Sequence, residues 1–219
     1  MRGCIRWLAR GAAWRSSAAL VALTMFSSFA PGARAISPDG ASVPTPEVTG
    51  PVSGGSHGWP YGSSYTDLTP RGYVEEEFFF EGTARNYGAS APSMPTAPYR
   101  SRMVVRRPVD PARFNGTVLV EWLNVTAQKD TDGWNLVSEP LALEDGYVQV
   151  AVSAQKVGVD HLRGWDSERY GSLQHPGDDF SWDVFSQAAK ALVSGTPTPL
   201  GGLTPEFLVA IGGTAAYSA

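Results

Sequence analysis

The chain has 219 residues, of which 17 are basic and 21 acidic, giving a formal charge of −4 at neutral pH. Five of the basic residues and none of the acidic ones precede Ile36, so the remainder carries a net charge of −9 and lacks the basic footprint of a nucleic-acid-binding protein. The single cysteine, Cys4, lies in that same opening segment, so the residues after it offer neither a disulfide scaffold nor thiol chemistry.

In chain order, residues 1–35 have the pattern of a cleavable export signal. Arg2, Arg6, Arg10 and Arg15 lead into an apolar run from Ala18 to Ala30, which closes on Ala33-Arg34-Ala35. The pattern predicts an exported product, periplasmic or secreted. The apolar run is shorter than the ~20 residues a spanning helix needs, and no later stretch is more apolar, so no membrane span is expected after cleavage. Residues 36–72 are dense in Gly, Pro, Ser and Thr, with Pro44-Thr45-Pro46, Gly54-Gly55 and Pro60 breaking any period. They read as an extended lead-in that wraps the surface or stays mobile.

Regular structure is expected over 73–219. Tyr73–Phe80 mixes β-branched and aromatic residues with three successive glutamates, the composition of an edge strand. Arg102–Arg106 is a second strand, closed by Pro108. Gly116–Leu123 is apolar nearly throughout, as a central strand buried on both faces requires. Trp134, Val137 and Leu141 form a helical stripe between Asp132, a candidate cap, and Gly146, with Pro140 kinking the helix or delaying its start. Tyr147–Ser153 is the next strand, followed by a long loop over Ala154–Asp178. Phe180, Val184, Ala188 and Leu192 then mark a helix with Asp178 and Asp179 as capping acids. Phe207–Ile211 is the last strand. The order predicts an α/β fold, a mostly parallel sheet with two antiparallel strands at its front.

That last strand enters Gly212-Gly213-Thr214-Ala215-Ala216, a tight turn of tiny residues of the kind a nucleophile elbow needs, where backbones crowd around a strained central residue. Several longer blocks carry a resemblance: Tyr73-Val74-Glu75-Glu76-Glu77-Phe78, Phe114-Asn115-Gly116-Thr117-Val118, Val120-Glu121-Trp122-Leu123-Asn124-Val125, Val157-Gly158-Val159-Asp160 and His175-Pro176-Gly177-Asp178. From about Thr45 to about Gly213 the chain resembles a family of exported bacterial proteins with an alpha/beta hydrolase domain. The resemblance implies an α/β-hydrolase-like sheet, incomplete at its C-terminal side, and hydrolysis of a small-molecule carboxylic ester or related acyl bond without a cofactor. It implies a serine nucleophile in the elbow, whose position Thr214 takes here. Ala215 would supply one oxyanion N–H and the turn at Asn124 and Val125 the other. The family's acid and histidine belong farther along the chain, and none follows Thr214, so the chain reads as an inactive fragment.

The three histidines, His57, His161 and His175, all precede the elbow and read as surface or loop-anchoring residues rather than as the missing base. Asp178-Asp179 beside His175 lacks the ligand spacing of a metal site, and helix capping explains the acids better, so no metal is expected. Trp122, Trp134, Trp165 and Trp182 are candidates for a carbohydrate platform or for core. The alternative to an enzyme is a non-catalytic exported module whose aromatic-rich loops form a contact surface. If the export reading holds, N-terminal sequencing of exported material returns Ile36 as the first residue; retention of Met1 would refute it.

Overall fold

In the computed structural model, residues 42–87 and 94–212 are described. The expected signal, the start of the lead-in, and Thr214 and Ala215 lie outside them. Six strands form one sheet: β1 (Glu47–Thr49), β2 (Tyr73–Arg85), β3 (Thr96–Pro108), β4 (Thr117–Trp122), β5 (Val148–Val152) and β6 (Phe207–Gly212), in the spatial order β1-β2-β3-β5-β4-β6. β5, β4 and β6 run parallel, while β1, β2 and β3 pair antiparallel and β3 joins β5 antiparallel. The fold is α/β. Three strands rather than two stand at the antiparallel front, because Glu47–Thr49 of the lead-in adds to Phe79–Glu81.

Alternation along the strands divides the sheet into two unlike faces. Phe78, Phe80, Met103, Val105, Val118, Val120, Val148, Val150 and Val152 point to one side, where they pack on Val184, Ala188, Ala191 and Leu192 of α4 (Ser181–Ser194). Each such valine, fully buried, contributes on the order of 1.5–3 kcal/mol. The helix keeps its predicted stripe, but its expected caps serve elsewhere. Asp178 Oδ1 accepts the Lys156 N–H at 2.8 Å, and Asp179 Oδ2 accepts from the Asn86 side-chain amide at 3.4 Å.

The opposite face carries charge. Glu75 and Glu77 on β2 meet Arg106 and Arg102 on β3, and the row continues through Gln149 and Ser153 to Glu121 on β4. Arg106 donates to Glu75 at 2.7 Å and to Gln149 at 2.8 Å, and Gln149 donates to Glu121 at 2.6 Å. The Arg102 and Glu77 side chains are 2% and 0% exposed. β2 is therefore not an edge strand: all three glutamates are ion-paired, Glu76 with Arg107 on the α4 side. Above this polar row lie α1 (Glu139–Asp145), α2 (Lys156–Trp165), α3 (Ser167–Tyr170) and the lead-in.

The lead-in is a strap fastened to the polar row. Arg102 donates to Tyr61 O at 2.9 Å, Arg106 to Gly62 O at 2.7 Å, and Arg169 to Gly54 O and Val52 O. Gly55 crosses at a φ of +88° with Arg169 so close beneath it that a Cβ would overlap that side chain. The stretch expected as a loop, Ala154–Asp178, instead folds into α2 and α3. Val159 and Leu162 anchor it on Phe79, and Asp166 caps α3 by accepting the Arg169 N–H. Asp132 is not a cap but the partner of Arg106 at 2.9 Å. The expected helix there opens as a π-type turn, Trp134–Ser138, in which the Ser138 N–H reaches Gly133 O. α1 proper starts at Glu139, with Pro140 in its first turn and Gly146 ending it at a φ of +78°. Among the described residues β1 and β6 are the sheet's outer strands, and Phe207, Leu208 and Val209 of β6 are exposed.

Arg102 is buried between Glu77, which also pairs with Arg169, and Asp130, for which it is the ion-pair partner among the described residues, so its loss leaves the Asp130 carboxylate uncompensated. Arg102→Met is expected to cost about 3–5 kcal/mol in chemical denaturation. Glu81→Gln, which breaks the more exposed pair with Arg100, is expected to cost about 0–1 kcal/mol.

Candidate functional site

The three parallel strands deliver their following segments to one edge of the sheet. β4 and β6 finish level, with Trp122 opposite Gly212, and β5 ends beside them at Val152, opposite Trp122. In open α/β sheets this carboxyl edge is where ligands meet the chain, since strand ends place loop backbone and side chains around one point.

The segment after β4 is a closed loop. Asn124 and Thr131 exchange both backbone hydrogen bonds, N–H to O at 3.1 and 2.9 Å, pinching residues 125–130 into a turn. Inside it Asn124 Oδ1 accepts the Thr126 N–H at 2.8 Å, and Val125 O accepts the Gln128 N–H at 2.9 Å. The Asn124 N–H is thus committed. The Val125 N–H has no hydrogen-bond partner among the described residues, although Val125 is buried. Of the two sequence-predicted oxyanion donors in this loop, Asn124 spends its N–H on Thr131, whereas the Val125 N–H is unpartnered among the described residues.

The loop is tied down from below. Asp130, 4% exposed, accepts the Ser153 hydroxyl and lies 3.5 Å from Arg102. Its other oxygen packs against the first turn of α2, where only Gly158 leaves room, because a Cβ there would overlap the carboxylate. Burial pushes the Asp130 carboxyl up from its ordinary value, with Arg102 opposing. Asp132 binds Arg106, and the Gly133 N–H donates to Glu121 at 2.8 Å. Burial likewise raises the Glu121 carboxyl against the Gly133 N–H.

The histidines occupy three separate places. His175, beside the end of β5, uses both ring nitrogens: Nε2 donates to Ala154 O at 2.9 Å and Nδ1 accepts the Gly177 N–H at 3.3 Å. That fixes a neutral ring as an anchor for the loop. His161 meets the edge of Tyr61. His57 stacks on Trp165 at 3.8 Å with Nδ1 on Asp166, a carboxylate buried but held below its usual range by the N–H groups of Arg169, Ser56 and His57 and by the His57 ring. No group of three or more His, Cys, Asp or Glu among the described residues could hold a metal ion. The four tryptophans do not share a platform: Trp122 packs against Trp182 on the α4 side, Trp134 is fully buried on the other, and Trp165 borders an open cleft. Sequence reasoning missed the polar row, and it expected the lead-in to wrap the surface or stay mobile without identifying the arginines that fasten it. The spacing of Glu75 to Glu77 and of Arg102 to Arg106, even numbers within strands, placed opposite charges on one face and was the available signal.

A family model described as "Alpha/beta hydrolase domain" matches residues 48–218. No curated protein matches the chain. Among the described residues no helix is long and apolar enough to cross a membrane.

Burial depresses the His175 pKa, so the folded state binds its proton less readily than the unfolded chain. The stability this contributes is complete above the unfolded value near 6.5 and is lost as pH falls below it. In denaturant titrations the stability gap between the natural chain and His175→Gln is expected to narrow from pH 7.5 to pH 5; a gap constant with pH would show that the ring titrates normally.

Proposed function

The chain belongs to the alpha/beta hydrolase domain family, and on that premise we propose that its carboxyl-edge site is built for hydrolysis of a small-molecule carboxylic ester or a related acyl bond. The observation that carries this reading is the Val125 N–H, which has no hydrogen-bond partner among the described residues, in a pinched turn beside the strand that leads into Gly212-Gly213-Thr214. A rigid backbone donor at a strand end stabilises a developing oxyanion, because it needs no reorganisation when the charge forms. In this scheme Thr214 stands at the nucleophile position, and Val125 and Ala215 donate to the oxyanion. A hydroxyl attacks the acyl carbon, the carbonyl oxygen takes the charge, and the alcohol leaves with a proton before water releases the acid. The chain before Ile36 directs export, which places this chemistry in the periplasm or outside the cell.

The scheme lacks one part. A hydroxyl needs a base to take its proton, and His175, the histidine beside the end of β5, has both nitrogens engaged. We therefore propose that the 219-residue chain by itself turns over esters no better than an oxyanion hole without a base. With short-chain activated esters, the chain and Thr214→Ala are expected to give equal, near-background rates, and Thr214→Ser is expected not to rescue turnover. Rates far above the Thr214→Ala control, with a phosphonylating probe attached at Thr214, would show that a base is in place.

A further inference from the structure

On the polar side of the sheet, the strap and the loop after β4 border a cleft of about 340 Å3. Trp59 and Tyr65 of the strap stand 56% and 87% exposed at its rim, Trp165 closes one end, and Lys129 and Asp132 face them across it. The volume is of the order that holds a small ligand. The Trp59 and Trp165 part of the aromatic wall is fixed in advance. His57, anchored on Asp166, lies flat on Trp165 at 3.8 Å and edge-on to Trp59 at 5.9 Å, while Tyr61 meets Trp165 edge-on at 5.1 Å. Rings braced in this way lose little freedom when a ligand arrives.

The polar wall selects against charge. Asp132 gives Oδ2 to Arg106 and Asp130 lies against Arg102, but the same guanidiniums also serve Glu75 and Glu77, and Lys129 has no acidic partner within salt-bridge distance among the described residues, so the wall carries both signs. A cation would meet Lys129, and an anion would meet Asp132. Asp132 Oδ1 accepts no hydrogen bond among the described residues and Asp132 lines the cleft, which leaves an acceptor opposite the aromatic rims. Flat carbon-rich faces against rings, with one acceptor and one donor across from them, suit a neutral ring bearing hydroxyl groups.

We propose that the cleft between the strap and the loop after β4 is a binding site for a sugar ring, stacked on Trp59 and Tyr65 and hydrogen-bonded by Asp132 and Lys129. The proposal concerns binding alone and needs no catalysis. Saturation-transfer NMR on the full chain, with glucose, galactose, mannose, N-acetylglucosamine and cellobiose as probes, is expected to show transfer to the ring C–H protons of at least one. Trp59→Ala and Tyr65→Ala, both at exposed positions, are expected to weaken that sugar about tenfold, the scale of a lost stacking contact, with unchanged thermal unfolding. Thr214→Ala is expected to bind as the natural chain does, so a failure of the ester-hydrolysis reading leaves this result untouched. The proposal is overturned by no transfer to any of the five, by transfer that survives Trp59→Ala unchanged, or by transfer that excess p-cresol does not compete away. Binding of tetramethylammonium or benzoate in place of sugars would also overturn it, by showing a charge-selective cleft.

Discussion

Two guanidinium groups on one strand dictate the arrangement of half the molecule. Arg102 and Arg106 sit on the same face of β3 and are almost wholly removed from water. A buried guanidinium without partners is far too costly to keep, so every donor must find an acceptor. β2 supplies Glu75 and Glu77, the loop after β4 supplies Asp130 and Asp132, and the strap supplies the carbonyls of Tyr61 and Gly62. The segments that cover this face are ones whose backbone or carboxylates answer the arginines.

The contrast with the other face explains why the two sides are built from different elements. Valines, phenylalanines and Met103 can be sealed by one amphipathic helix, since apolar burial asks for area and shape but not direction. Charged groups ask for direction. An irregular strap can turn its carbonyls down toward Arg102, Arg106 and Arg169, whereas a helix has already spent its carbonyls internally. Irregular cover also leaves gaps, and the aromatic cleft lies where the strap and the loop after β4 fail to meet.

These demands account for what could be read from the residues and what could not. β4 and β5 were legible because strands buried on both sides give unbroken apolar runs, and α4 because its stripe repeats every three or four residues. α2 was not, since only Val159 and Leu162 anchor it among glycine and charged residues, and the carboxylate on its first N–H, Asp178, comes from 22 positions away. The three glutamates read as an edge because charge usually marks solvent, and only their arginine partners across β3 reverse that meaning. The strap has no period at all, being held by side chains that bond its carbonyls one at a time. At the site, the elbow residues and the turn after β4 were visible as motif. That Asn124 spends its N–H on Thr131 while the Val125 N–H is unpartnered among the described residues follows from loop closure, which no local pattern encodes.

The same arginines connect the buried row to the carboxyl edge. Residues 125–130 are pinched by Asn124 and Thr131, and the far end of that loop is held by Asp130 on Ser153 and Arg102, then by Asp132 on Arg106, then by Gly133 on Glu121. These anchors lie on β3, on β4 and just past the end of β5, so the loop is fixed relative to all three at once. A backbone donor stabilises an oxyanion only when its position is set before the charge appears, and a loop resting on one strand would not ensure that. The polar row is therefore more than a tolerated cost in the core. It turns the rigidity of the sheet into rigidity of the turn that carries Val125, and through Asp132 it sets one wall of the aromatic cleft as well.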